Sequence, residues 1–310
     1  MADAADLALL QIARAPRTLA LSAKDVVALT KPSITLMAVI VAAGAMLLAP
    51  GHIALADALW SLAGVAMAVA GAGALNMLVE RDVDALMTRT AARPLPAGRL
   101  HWGFALVVGG ALSAAALPIL WAHGGVLCAA LTGFSLFVYV LVYTPMKRTS
   151  PWALVVGAVP GAMPALMGST AVTHAFDVVG VSLFAWVFLW QLPHFTAIAI
   201  YREREYAAAG HKVVSSVWGV RKALAVVVVS ALLLALAGVA LVPLHVGGVV
   251  SLVVAAGAGA WFVALAMKAL FARDEDVDAA ARKVFFASLA YQMALFAALT
   301  VDAIIRTALR

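Results

Sequence analysis

Runs of Leu, Val, Ala and Gly about 20 residues long recur along the chain, separated by short polar breaks. Nine can be marked, at about 33–49, 57–78, 102–121, 124–143, 152–172, 178–200, 223–243, 246–267 and 284–305. A helix needs about 20 mostly apolar residues to cross a bilayer. The period-two alternation of a membrane barrel is absent, and an open sheet would leave backbone groups unpaired in lipid. The pattern therefore predicts an all-α, polytopic membrane protein with nine transmembrane helices around a central cavity. Residues 1–32 lack a long apolar core and read as an amphipathic N-terminal tail, so the membrane domain spans 33–306.

Composition agrees with the pattern. Hydrophobic residues make up 65% of the chain and charged ones 12%, against about 45–50% apolar in ordinary soluble domains. Orientation follows from the basic residues. With nine spans and a cytoplasmic N-terminus, all of the 21 Lys and Arg except Arg306 and Arg310 fall on the inside. This is the positive-inside distribution, and it accounts for the net charge of +6 without a nucleic-acid partner. The lone Cys128 falls within a span, where a small buried core residue is expected.

The outside loops are short. The inside loops after the second and sixth spans are long and begin with carboxylates, the arrangement of a parallel pseudo-repeat framing one site. In the first, Asn76, Glu80 and Asp84 stand at i, i+4 and i+8, one stripe on a continuous helix. Close carboxylates repel unless a cation lies between them, and hard oxygen donors suit Mg²⁺, which bridges to substrate phosphates. Arg89 and Arg93 follow, with guanidinium forks that match phosphate oxygens. The second loop presents Arg202, Glu203 and Glu205, and a third, "YTPMKR", adds Lys147 and Arg148. Tyr139, Tyr143, Phe195 and Tyr201 are candidate walls of an apolar cavity. His194 lies inside the sixth span, where a buried histidine bonded to its neighbours competes with a proton-handling or haem-contacting role. A transporter would place its carboxylates near mid-membrane. Here they stand at span ends, which favours interfacial diphosphate chemistry.

The N-x-x-x-E-x-x-x-D pattern at Asn76, Glu80 and Asp84 resembles the first acidic motif of the UbiA superfamily of intramembrane prenyltransferases. "DALMTRTAARPLPAGRL", "YTPMKR" and "WQLPHFTAIAIYREREYAAAG" are similar to strings in its haem-farnesylating branch, over nearly the whole chain. Two positions depart from that pattern: Glu205 stands where Asp is usual, and Ser33 where a basic residue is common. The resemblance implies transfer of the farnesyl group of farnesyl diphosphate to a vinyl group of haem b, with addition of water. It implies a first Mg²⁺–diphosphate site at Asn76, Glu80 and Asp84, and a second at Glu205 with Glu203. Arg89, Arg93, Lys147, Arg148 and Arg202 would hold diphosphate, and His194 would contact haem or handle a proton. A sister enzyme with a quinone-precursor acceptor fits the same acidic motifs. The implied setting is the cell inner membrane, with the active site facing the cytoplasm and a haem A synthase or terminal oxidase downstream.

Overall fold

A computed structural model of the chain describes residues 22–308. Most of the tail expected over 1–32 lies outside the described residues. Helix α1 (Ala23–Leu29) meets α2 (Pro32–Leu48) at a bend of 50°. The bend is made at Lys31, whose backbone is left-handed (φ 47°, ψ 62°), with Pro32 opening the next helix. Then come α3 (Leu55–Val79), the short α4 (Arg81–Asp84), and α5 (Trp102–Phe137), which continues through a π-helical turn (Val138–Tyr143) into α6 (Thr144–Met146). The rest of the bundle is α7 (Ala153–Thr173), α8 (Val178–Tyr201), the short α9 (Glu203–Ala208) and α10 (Val214–Trp218), α11 (Val220–Ala240), α12 (Val249–Leu270) and α13 (Val277–Ala308). No strand occurs among the described residues.

Seven helices are long and apolar enough to cross a membrane, or eight with the bent pair α1–α2 counted as one span. One of the seven, Trp102–Met146, runs for 45 residues. Straight, it would reach roughly 68 Å, more than twice the hydrocarbon thickness. It is not straight: Gly125 leaves helical geometry (φ 84°, ψ 168°), a conformation that glycine adopts without strain. A Cβ on Gly133 would lie 3.8 Å from Leu117 Cδ2, so the chain doubles back there. The turn lies where the sequence separates its third and fourth apolar runs.

Side-chain packing holds the bundle together, since lipid tails are as apolar as the helices themselves. Trp186, Leu224, Phe262, Tyr291 and Leu295 are fully buried between α8, α11, α12 and α13. A second cluster joins α2, α3, α5 and α7 and includes Cys128, which is buried. Gly157 on α7 allows a close approach, because a Cβ there would collide with the Tyr143 ring. At the far end, the Asp302 carboxylate accepts from the backbone N–H of Gly248 (2.8 Å) and Ser251 (2.8 Å), tying the end of α13 to the start of α12.

Candidate functional site

The first acidic cluster grows from the end of α3. Asn76 is buried, and its Nδ2 donates to Glu80 Oε2 (2.9 Å) and to Thr144 Oγ1 (3.0 Å). Its Oδ1 accepts from Lys31 Nζ at 2.5 Å. The three residues do not share one continuous helix, as the spacing predicts. Glu80 caps α3 with φ −93° and ψ 3°, and the chain restarts as α4. Asp84, also buried, turns to Arg93, whose NH1 donates to Oδ2 at 2.6 Å. Two like charges in one dry place repel, and each carboxylate has taken a cation of its own.

Glu80's cation is Lys147, with Nζ 2.7 Å from Oε1. Burial opposes both charges, but each partner stabilises the other's charged form. Glu80 is held below the usual carboxylate range and Lys147 above the usual lysine value, the neighbouring Tyr143 adding to the latter. The ammonium also lies 4.5 Å from the centre of the Tyr143 ring. The π-helical turn that carries Tyr139 and Tyr143 has a local cause. Pro145 has no N–H to continue the α-helical ladder, and the turn before it is widened.

The second cluster repeats the plan of the first. Helix α8 ends at Tyr201, Arg202 breaks it (φ −117°, ψ 20°), and α9 restarts with Glu203 and Glu205 in its first turn. Arg202 NH1 donates to Glu205 Oε1 at 2.9 Å, while Glu205 Oε2 is buried without a hydrogen-bond partner. Glu203 stands half-buried beside them. Tyr206 and Ala209 pack on Val83 and Met87, so the two acidic loops meet across an apolar contact. Exposed Arg89 acts on the Tyr206 phenol. Lys212 N donates to Lys147 O at 2.8 Å, which joins the third loop to the second. A cavity of about 480 Å³ opens beside the cluster, lined by Glu80, Thr144, Arg148 and His211 among others. Burial lowers the His211 pKa below its ordinary value.

The remaining candidates divide. Tyr139 and Tyr143 pack 5.4 Å apart at the cluster with their rings tilted by 39°. Tyr201 packs edge-on against Phe285 at 5.9 Å, beneath the Arg202 guanidinium. Phe195 is 45% exposed and sits edge-on to His194 at 5.1 Å. His194 sits away from the charges, its Nδ1 2.8 Å from Ser288 Oγ and its ring stacked on Trp190 at 4.6 Å. That geometry suits a buried histidine bonded to a neighbouring helix.

The fold also brings Lys31, Thr144 and His211 to the cluster, none of them among the candidate site residues of the sequence. A lysine before proline and a threonine inside "YTPMKR" were the available signals. Nothing in the neighbourhood of His211 marked it.

Among the described residues, no three His, Cys, Asp or Glu side chains converge on one metal position. The donor chemistry nevertheless fits Mg²⁺, with oxygens from Asn76, Glu80 and Asp84 and an unpartnered buried oxygen on Glu205. Arg93 and Lys147 each touch one carboxylate, and Lys31 adds a third basic group on the Asn76 amide oxygen. The arrangement thus suits a divalent cation that arrives with a multiply charged anion.

Residues 36–290 match the UbiA prenyltransferase family. The chain is 45% identical over 286 residues to a "Protoheme IX farnesyltransferase" of Myxococcus xanthus, covering 92% of this chain and 96% of that one. Its fold is similar to that of a digeranylgeranylglyceryl phosphate synthase, with a TM-score of 0.77 at 17% identity over 91% of this chain and 98% of the other. It is also similar to a UbiA homologue from Archaeoglobus fulgidus bound to GPP and Mg²⁺, with a TM-score of 0.64 at 17% identity over 88% and 99%. The chain is a multi-pass membrane protein and belongs to the UbiA prenyltransferase family.

Proposed function

We propose that the protein transfers the farnesyl group of farnesyl diphosphate to a vinyl group of haem b, giving haem O and diphosphate. The C1–O bond of the farnesyl chain breaks, and its electron pair leaves on diphosphate. The vinyl π pair forms the new C–C bond. Water adds to the carbon left cationic and gives up a proton. The donor chemistry rests on one observation above all: two loops converge so that Glu80 is buried against Lys147, while Asp84 is buried against Arg93 of its own loop. The acceptor rests on the printed name of the relatives, such as the one from Myxococcus xanthus.

Lys147 and Arg93 already stand at the carboxylates, Arg148 lines the adjoining cavity, Arg202 pairs with Glu205, and Arg89 lies on the loop that carries Arg93. These cations bind diphosphate and stabilise the charge it gains as the bond breaks. Asn76, Glu80 and Asp84, with Glu205 and Glu203, would hold Mg²⁺, which supplies further neutralisation of the leaving group. Tyr139 and Tyr143 offer aromatic faces to the electron-poor prenyl carbon and keep water from it.

In this reading the bent helix α1–α2 is one crossing and Trp102–Met146 two, which makes nine. The N-terminus and the site face the cytoplasm, the inner membrane is the location, and a haem A synthase or terminal oxidase takes the product. The test is to incubate purified protein with haem b, farnesyl diphosphate and Mg²⁺ and to measure haem mass. A gain of one farnesyl group plus one hydroxyl is expected. Unchanged haem, with farnesyl transferred to a quinone precursor instead, overturns the acceptor assignment.

A further inference from the structure

Thr144 is buried at the junction of the π-helical turn and α6, one residue before Pro145. Its hydroxyl makes two hydrogen bonds of opposite sense. It donates to the Tyr139 carbonyl at 2.7 Å and accepts from Asn76 Nδ2 at 3.0 Å. With its single proton committed to the carbonyl, the oxygen can only accept from Asn76. The other two neighbours of the amide agree. The Glu80 carboxylate, which only accepts, faces Nδ2, and the Lys31 ammonium, which only donates, faces Oδ1. Asn76 is thereby locked with its oxygen, the atom a hard cation would use, directed away from Glu80 toward Lys31.

We infer that Thr144 is a positioning residue for diphosphate binding: through Tyr139 O and Asn76 Nδ2 it fixes the amide of Asn76 in the orientation that holds Lys31 Nζ on Oδ1 and the Glu80 carboxylate on Nδ2. The inference rests on the metal–diphosphate reading of the site. It also gives the π turn a purpose, since the widened turn aims the Tyr139 carbonyl at the Thr144 hydroxyl. Without the hydroxyl, Nδ2 loses one of two acceptors, and the amide is free to turn Oδ1 away from Lys31.

The test is a double-mutant cycle read by binding. Preformed Mn²⁺–pyrophosphate is titrated into protein in detergent, and the heat of binding gives the dissociation constant. Thr144→Val is expected to weaken binding about tenfold in the wild-type background and less than twofold in an Asn76→Ala background, because coupled residues depart from additivity. Thr144→Ser, which keeps the hydroxyl, should restore binding to within about twofold of wild type. Thr144→Ala gives the same comparison should Thr144→Val not fold. Equal losses in both backgrounds, or no rescue by serine, overturn the Thr144 assignment alone. Failure of the wild-type protein to bind Mn²⁺–pyrophosphate at all overturns the underlying reading of the site, and the inference with it.

Discussion

Lys147 Nζ lies 2.7 Å from Glu80 Oε1, which joins the end of the second apolar helix to the loop after the fourth across 67 positions of chain. Neither side chain is much exposed, at 22% and 10%. Removing one partner of a buried pair leaves an uncompensated charge and costs about 3–5 kcal/mol, less where water reaches the group. Lys147→Met should therefore lower stability by about 2–3 kcal/mol. It should also raise KM for farnesyl diphosphate at least tenfold. Thermal unfolding in detergent and steady-state kinetics check the two effects; an unchanged KM would exclude Lys147 from diphosphate binding.

The same pair sets a pH dependence. Glu80 has its pKa depressed, so its contribution is present above the ordinary carboxylate value of about 4.3 and is lost as pH falls through the lower folded value. Lys147 has its pKa raised, so its contribution is full below the ordinary lysine value of about 10.4 and is lost only as pH rises through the higher folded value. The stability difference between wild type and a Lys147→Met, Glu80→Gln double variant, in which neither titrating partner remains, should therefore stay flat from about pH 5.5 to 9. A step near pH 7 in that difference would show that another group controls the pair.

Asp302 supplies a control far from the chemistry. Its carboxylate accepts from Gly248 N, Ser251 N and Ser251 Oγ, the last at 2.6 Å. Asp302→Ala strips the start of α12 of this cap and should cost about 1–3 kcal/mol. KM for farnesyl diphosphate should not move. A melting curve together with kinetics separates the two, and a changed KM would mean that the clasp reaches the site.

At the second cluster, Glu205→Asp should keep activity within about tenfold, because the shorter carboxylate still offers a hard oxygen. Asp84→Ala should abolish turnover while the protein stays folded. Product formation by mass and circular dichroism of the same samples check both. Full activity of Asp84→Ala would remove it from the metal site.

Much of this was legible in the sequence. Apolar runs of bilayer length located the helices, because nothing else satisfies a backbone in lipid. Scarce charge at span ends located the site. The turn at Gly125 could be read from a two-glycine break, although its helices run on as one hydrogen-bonded stretch. What could not be read was pairing. Spacing placed Asn76, Glu80 and Asp84 on one stripe, but repulsion between buried carboxylates is relieved by Lys147 and Arg93, whose nearness depends on loop geometry. Phe195 and Tyr201 lie on the same helix, and only packing against α13 decides which of them faces inward. His211 carried no signal because its place depends on the second loop bonding to Lys147 of the third.

The central claim is that buried carboxylates and their cations together receive a metal-bound isoprenoid diphosphate. The most direct measurement is an experimental structure with Mg²⁺ and the unreactive analogue farnesyl thiodiphosphate. The account predicts diphosphate oxygens against Lys147 and Arg93, with Mg²⁺ on oxygens of Glu80 and Asp84. Density for the diphosphate elsewhere, with the Glu80–Lys147 and Asp84–Arg93 pairs undisturbed, would contradict it.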